Sequence, residues 1–461
     1  MDRTETYIRL ITEQPLIVAP VFILFAIFFM IPSHKRLFVT LLILVPWLTI
    51  ARSSGFGAFS SLAKFSSGAA YLLIAFAAAT HPGPKRNIPP VVWLFVAVAC
   101  LGFVYILSVN EFLLAVILRS QWLCVTLAGV FTVRTIVSYS DLKRIVDALT
   151  LGCIVALSMP ISSLILFPGE SFLRGMGRFE PWGANSNQTG MLFALAAPLL
   201  AYAALTSKRT SFRPFFLALV MLTVGMALLT ASRQTMIAIF MVTLPVVLVV
   251  TKRPVMMFLA MGLAAIALPF IFSLGAEANF ERFSSLQTGR IEIWVDYWTN
   301  VFPKRPLFGL LGTSGESYFK SVNEVGMHPH NAWFYLMYVG GATFALPMVF
   351  LTLYSIWCGF KMWSVRQYLP GDTLLYSVLV MLLIAMYVQG LFNQVVYWPT
   401  YTWSYLHVVL ASLFICVWQD IRDGNLEGAL YDDEPWYDYE SQEYESEEFE
   451  DFGESAQRPT S

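Results

Sequence analysis

Charge is what this sequence has least of. Only 13% of its 461 residues are Asp, Glu, Lys or Arg, against roughly 25% in soluble domains. Hydrophobic residues make up 57% and the mean hydropathy is +0.64. A soluble chain of this length could not cover its core with so little polar surface, so a soluble enzyme is excluded. Cysteine is scarce as well. Cys100, Cys124, Cys153, Cys358 and Cys416 are odd in number, lie inside apolar runs and have no CxxC spacing, which excludes a disulfide framework or zinc site. The outer loops have no Asp-x-Asp pair to hold a divalent ion on a sugar-phosphate donor. No GxxxxGK loop and no GxSxG elbow occurs anywhere. Metal-dependent glycosyl transfer and ATP-driven transport lose ground on those absences.

Hydrophobic runs are abundant. A membrane span needs about 20 apolar residues, and candidates lie near 15–31, 37–51, 62–80, 89–108, 111–133, 145–167, 188–205, 214–230, 234–250, 255–274, 331–357, 373–391 and 399–419. The expected fold is an all-α, polytopic membrane protein with about 12–13 transmembrane helices. The first run is too long for a signal peptide and has no small-residue cleavage site.

The net charge of −1 averages two unlike parts. Residues 420–461 hold fifteen acids and two basic residues, leaving 27 basic and 15 acidic residues in 1–419. The body is therefore basic, but its cations fall in loops between apolar runs, so no nucleic-acid partner is implied. Alternate loops carry fourteen Lys or Arg against seven in the opposite set. That bias puts the fourteen in the cytoplasm, together with the tail, and the N-terminus outside. The tail, 420–461, is acidic and interleaved with aromatics. It is expected to be disordered and cytoplasmic, either dispensable or a surface for a cytoplasmic partner.

Two outer loops stand out in this topology: 168–187, polar and glycine-containing, and 275–330, the one long loop. Loops beyond about 12–15 residues in a compact protein are usually functional or disordered. The second contains Trp294, Trp298, Phe302, Phe308 and Tyr318, too aromatic for a linker. His328 and His330 lie where this loop enters the membrane, in MHPHNAWFYLMYVGG. The His-Pro-His-Asn cluster reads either as part of a reactive site or as a helix cap, with His330 and Asn331 satisfying orphan backbone amides. Arg174, Arg178, Arg233, Arg282 and Arg290 are outer-face arginines. Guanidinium groups bind phosphate bidentately, which suits an anionic lipid-linked substrate. Headgroup snorkelling or pairing with Glu180, Glu281 or Glu292 is the alternative. Arg119 lies mid-span and reads as either functional or structural.

The string TGRIEIWVDYWTNVFPKRPLFGLLG, followed by MHPHNAWFYLMYVGGATF, resembles the shared domain of the O-antigen ligases and Wzy-type O-antigen polymerases. The matching elements are Arg290 and Trp294, the turn Pro306-Leu307-Phe308-Gly309, the pair His330-Asn331, and Gly341. Ser232-Arg233 and Arg282 with Leu286 extend the resemblance, which covers roughly 180–360. At Ala342-Thr343-Phe344 the chain departs from the paired threonines of ligases, leaving ligase and polymerase both open. The resemblance implies a bacterial inner-membrane enzyme that moves a glycan from undecaprenyl diphosphate to an acceptor hydroxyl on a glycan or lipid-glycan, without metal, nucleotide or other cofactor. On that basis His330 is the candidate base. Arg233, Arg290 and Arg282 would hold the donor diphosphate, and Asn331, Arg178 and His328 would orient substrate, with Asn187 beside them. Two other classes remain: a transporter of a small anion or glycan precursor, and a non-catalytic scaffold in envelope assembly. No inverted repeat of short, broken spans supports the transporter.

Overall fold

Inside a bilayer every backbone N–H and C=O must find a partner within the protein, and continuous apolar helices achieve that segment by segment. A computed structural model describes residues 19–104, 112–172, 177–250, 290–309, 329–393, 395–398, 400–424 and 430. Among the described residues there are thirteen α-helices and no strand, only two isolated bridges. The helices are α1 (Ala19–Met30), α2 (Ser33–Ile50), α3 (Ala58–Ala79), α4 (Leu94–Val104), α5 (Phe112–Thr135), α6 (Tyr139–Leu166), α7 (Ser186–Thr206), α8 (Arg213–Leu229), α9 (Arg233–Val250), α10 (Arg290–Asp296), α11 (Ala332–Ser364), α12 (Thr373–Gly390) and α13 (Thr402–Arg422). Nine are long and apolar enough to cross a membrane, and α4 and α9 are shorter apolar helices. The chain is an all-α, multi-pass membrane protein. Of the predicted runs, 255–274 lies outside the described residues, as do Arg174, Arg282 and His328.

Helices α7, α12 and α13 form the centre, and the others pack around them. Small residues set the closest approaches. Any side chain on Gly190 of α7 would run into Thr235 of α9, and one on Gly129 of α5 would meet Val408 of α13. Such contacts drive association where lipid cancels the hydrophobic gain. The outward faces carry Leu346, Phe350, Leu353, Trp357 and Phe360 on α11 and Ile237, Phe240, Val247 and Leu248 on α9. These form the apolar girdle that acyl chains cover.

The described connections between helices collect at two ends, joined by contacts within each. At the basic end Arg86 donates to the carbonyl of Ile136 at 2.7 Å and pairs with Asp420. Composition assigned Asp420 to the tail, whereas α13 continues to Arg422 because its last turn is anchored by this pair. At the opposite end lie the connecting residues 51–57, 167–172, 177–186, 230–232, 329–331, 391–393, 395–398 and 400–401, the end that the charge bias assigns to the outside. Caps fix the helix starts there. The Asn185 side chain accepts from Asn187 N–H, and that of Asn331 accepts from Trp333 and Phe334 N–H at 2.8 and 3.1 Å.

Candidate functional site

Three non-glycine residues among those described have positive φ: Trp182 (50°), Ala231 (50°) and His330 (47°). All three sit at the end opposite Arg86. Such conformations cost about 1–3 kcal/mol each and persist only where the surroundings over-determine them.

At His330 the surroundings do so from both sides. The indole Nε1 of Trp294 donates to the carbonyl of Pro329 at 2.8 Å, and Asn331 Nδ2 donates to the carbonyl of Leu391 at 3.0 Å. Asn331 therefore caps α11 and ties it to the end of α12, while His330 is held between two fixed neighbours. Helix α10 is pinned to α11 by rings: Trp294 against Phe334, Tyr297 against Tyr338, and Phe302 against Phe334, with centroids at 6.0, 5.9 and 5.2 Å. Arg290 begins α10 and is carried to the same end of the bundle, its guanidinium 5.9 Å from the centroid of Phe392.

The turn Pro306-Leu307-Phe308-Gly309 docks onto a break in α11. Gly341 has φ 62°, and the N–H groups of Ala342 and Thr343 donate to the carbonyls of Pro306 and Leu307 at 2.8 and 3.1 Å. These bonds satisfy amides that the break frees from the helix ladder. A Cβ at Gly341 would lie 2.5 Å from the Leu307 carbonyl, and one at Gly309 would lie 2.5 Å from the Gly341 nitrogen. Glycine is required on both sides of this approach.

Arg233 starts α9 after a tight reversal. Helix α8 ends at Leu229, Ala231 turns left-handed, and Thr235 Oγ1 donates to Ser232 Oγ at 2.9 Å. Arg178 braces this reversal: its Nε donates to the Thr230 carbonyl at 3.1 Å and its Nη2 to Asn187 Oδ1 at 3.0 Å. Arg178 is buried, so it positions the turn that presents Arg233, and Asn187 is its partner.

Electrostatics link the remaining groups. His330 keeps surface open to solvent, yet burial among the surrounding groups, and then the Arg290 charge, hold its pKa below the ordinary imidazole value. Arg290 is itself pushed down by burial and by the Arg233 charge, although an arginine stays protonated throughout. Among the described residues no carboxylate lies within ion-pair distance of Arg290. Two cations and an imidazole gathered at this end of the bundle suit an anion and a proton transfer.

Of the residues singled out from sequence, the structure gathers Arg233, Arg290, His330 and Asn331, with Arg178 and Asn187 behind them. Arg282 and His328 lie outside the described residues. Arg119 lies elsewhere, between α4 and α11, with its guanidinium 5.8 Å from Phe344. The sequence reading passed over Gln234 and Gln389. Gln389 Nε2 donates to the Gln234 carbonyl at 3.3 Å, while Gln389 Oε1 and both side-chain polar atoms of Gln234 are buried without a partner. Gln234 adjoins Arg233, and Gln389 lies three residues before Phe392. A glutamine inside an apolar run was the signal available, since polar groups within spans are costly. No protein-family model matches the chain, and comparison with curated proteins and with solved structures likewise finds no match.

Proposed function

We propose that the protein transfers a glycan from a polyprenyl-diphosphate carrier to the hydroxyl of an acceptor sugar, at the outer face of a bacterial cytoplasmic membrane. The observation that carries this reading is geometric: Trp294 of α10 bonds the carbonyl just before His330, while Arg290 of the same helix lies over Phe392, beside the Leu391 carbonyl held by Asn331. The resemblance in the same residues supports it.

In this mechanism an imidazole nitrogen of His330 takes the acceptor hydroxyl proton as the oxygen attacks the anomeric carbon. The bond from that carbon to the diphosphate oxygen breaks, and polyprenyl diphosphate departs with the electron pair. Arg290 and Arg233 stabilise the charge that develops on it, the kind of preorganised stabilisation that is usually the largest catalytic contribution. A single displacement inverts the anomeric centre. Burial, and then the Arg290 charge, disfavour imidazolium, which keeps His330 neutral until substrate binds. A bound diphosphate offsets the Arg290 charge and raises the basicity of His330 when it is needed. The reaction draws on no metal.

The test is complementation of a host lacking the protein with wild type or His330→Ala, followed by separation of surface polysaccharides by size and lipid linkage. Accumulation of short lipid-linked units in the mutant identifies a polymerase, and accumulation of full-length lipid-linked chains identifies a ligase. Identical profiles in the two strains overturn the catalytic reading and favour transport.

A further inference from the structure

Four consecutive residues run through the end of α12, and each meets a different part of the site. Gln389 Nε2 donates to the carbonyl of Gln234, the residue after Arg233, at 3.3 Å. Gly390 faces Ala332, the first residue of α11: a Cβ on the glycine would stand 3.5 Å from the Ala332 Cβ. The Leu391 carbonyl accepts from Asn331, the residue after His330, at 3.0 Å. The ring centroid of Phe392 lies 5.9 Å from the Arg290 guanidinium. One short stretch of chain thus adjoins all three elements that carry the base and the two cations.

The position of His330 depends on that stretch, because α11 does not run straight to it. Trp333 packs against Tyr387 and Tyr397, with ring centroids 6.2 and 5.4 Å away. Beyond the break at Gly341, Ser355 and Thr352 share hydrogen bonds with the same two tyrosines, at 3.0 and 3.3 Å. Trp333 and Thr352 are nineteen residues apart, about 28 Å along a straight helix, which is further than one tyrosine bridges. Residues 332–340 therefore fold back from Gly341 and lean on α12 and the connection that follows it. Helix α12 is the reference against which His330 is placed, and Gln389 carries that reference across to α9.

A glutamine is an expensive side chain to use for this connection. Gln389 is fully buried and Gln234 nearly so, yet Gln389 Oε1 and both polar atoms of the Gln234 side chain have no hydrogen-bond partner. Buried polar groups left unpaired lower stability, whereas apolar groups of the same shape are close to neutral or better. The Gln234 carbonyl lies in the first turn of α9, where the helix ladder supplies it with an N–H of its own. Packing of α9 on α12 has no need of the Gln389 amide. What the Nε2 bond adds is register: it fixes where the start of α9, with Arg233, stands relative to the end of α12.

We infer that Gln389 is a positioning residue for glycan transfer, holding Arg233 in the place relative to His330 that the reaction requires. This rests on the transfer reading above, and Gln389 acts through the arginine without touching substrate. A misplacement of about 1 Å in a group aimed at the leaving diphosphate can lower the rate on the order of 100-fold.

The test is Gln389→Met, which keeps the length of the side chain and removes its polar atoms. Full-length wild type and variant are compared in one detergent, with lipid-linked glycan and acceptor purified from the host lacking the protein. The variant is expected to unfold at the same temperature as wild type or higher. Its kcat should fall at least about tenfold. Its KM should move less than about twofold, because the charge on the diphosphate grows only as the bond breaks. The acid limb of kcat/KM should stay at its wild-type position, since burial and Arg290 hold the His330 pKa down. Adding Gln389→Met to Arg233→Gln should lower kcat no further, because the glutamine acts through that arginine. A merely structural glutamine gives the opposite pattern, a lower unfolding temperature and losses that multiply in the double variant. That pattern, or wild-type kcat in Gln389→Met, overturns the inference while wild type still transfers. Absence of transfer by wild type overturns the transfer reading itself, and the inference with it.

Discussion

At the scale of single residues, His330 combines a strained backbone with a depressed pKa. Each property gives a measurable consequence. Alanine at 330 keeps the positive φ and its penalty, whereas glycine adopts it freely. His330→Gly should therefore be more stable than His330→Ala by about 1 kcal/mol, read from thermal unfolding in one detergent, while both lose transfer. A lower stability for the glycine variant would show that the strain is not there. The pH behaviour follows from burial and Arg290. Because the folded protein resists protonating His330, the stability this group contributes is complete above about pH 6.5 and declines as pH falls through its lowered folded value. His330→Gln should remove that part of the acid sensitivity. In transfer assays the acid limb of kcat/KM reports the free enzyme and should lie below the ordinary imidazole range. The limb of kcat, with diphosphate bound against the arginines, should lie at higher pH. In Arg290→Gln the kcat/KM limb should move up only part of the way, because burial is the larger cause of the depression.

At the scale of elements, the contact that orders the site is between a turn and a broken helix. Leu307 and Gly309 on the turn meet Gly341 backbone to backbone, and no other side chain fits at either glycine. Gly309→Ala and Gly341→Ala should each destabilise the protein by about 2 kcal/mol or more, from left-handed strain and the clash together. The double variant should cost clearly less than the two added, because both changes open the same approach. Additive losses measured by unfolding would mean that the two glycines act separately. This docking, with the ring contacts of Trp294, Tyr297 and Phe302, holds α10 against α11 and so places Arg290 beside His330. The seven-residue α10 could not hold that position alone, since isolated helices so short are unstable in water.

At the scale of the whole molecule, the two ends of the bundle do different work. The basic end closes on Arg86, which donates to backbone near α5 and pairs with Asp420 at the end of α13. The opposite end gathers Arg233, Arg290 and His330. This division sets the place for a truncation that tests the tail. Ending the chain after Gly424 keeps α13 and the Arg86–Asp420 pair. Transfer, assayed by polysaccharide profile, should persist at near wild-type level. Loss of transfer with a correctly inserted protein would favour the scaffold reading, in which the acidic tail recruits a partner. Ending the chain before Asp420 would instead leave Arg86 buried without its carboxylate, and the result would report stability alone.

The sequence alone determined the class of the molecule, because the period and length of apolar runs are local properties and a bilayer accepts few ways of satisfying a backbone. It also marked His330 and Arg233, polar residues at the edges of apolar runs, and Arg290, an arginine of the one long loop that the resemblance singles out. Only the tertiary structure decided how these residues relate. Arg178 proved to be a buried brace for the reversal before Arg233, and Asn331 a cap that also holds the end of α12. Both facts depend on backbone carbonyls, at Thr230 and Leu391, that no side-chain pattern encodes. Gln234 and Gln389 lie 155 positions apart and meet because α9 and α12 pack together. Local pattern fixes which segments cross the membrane, whereas packing between segments remote in sequence fixes what their ends bring together.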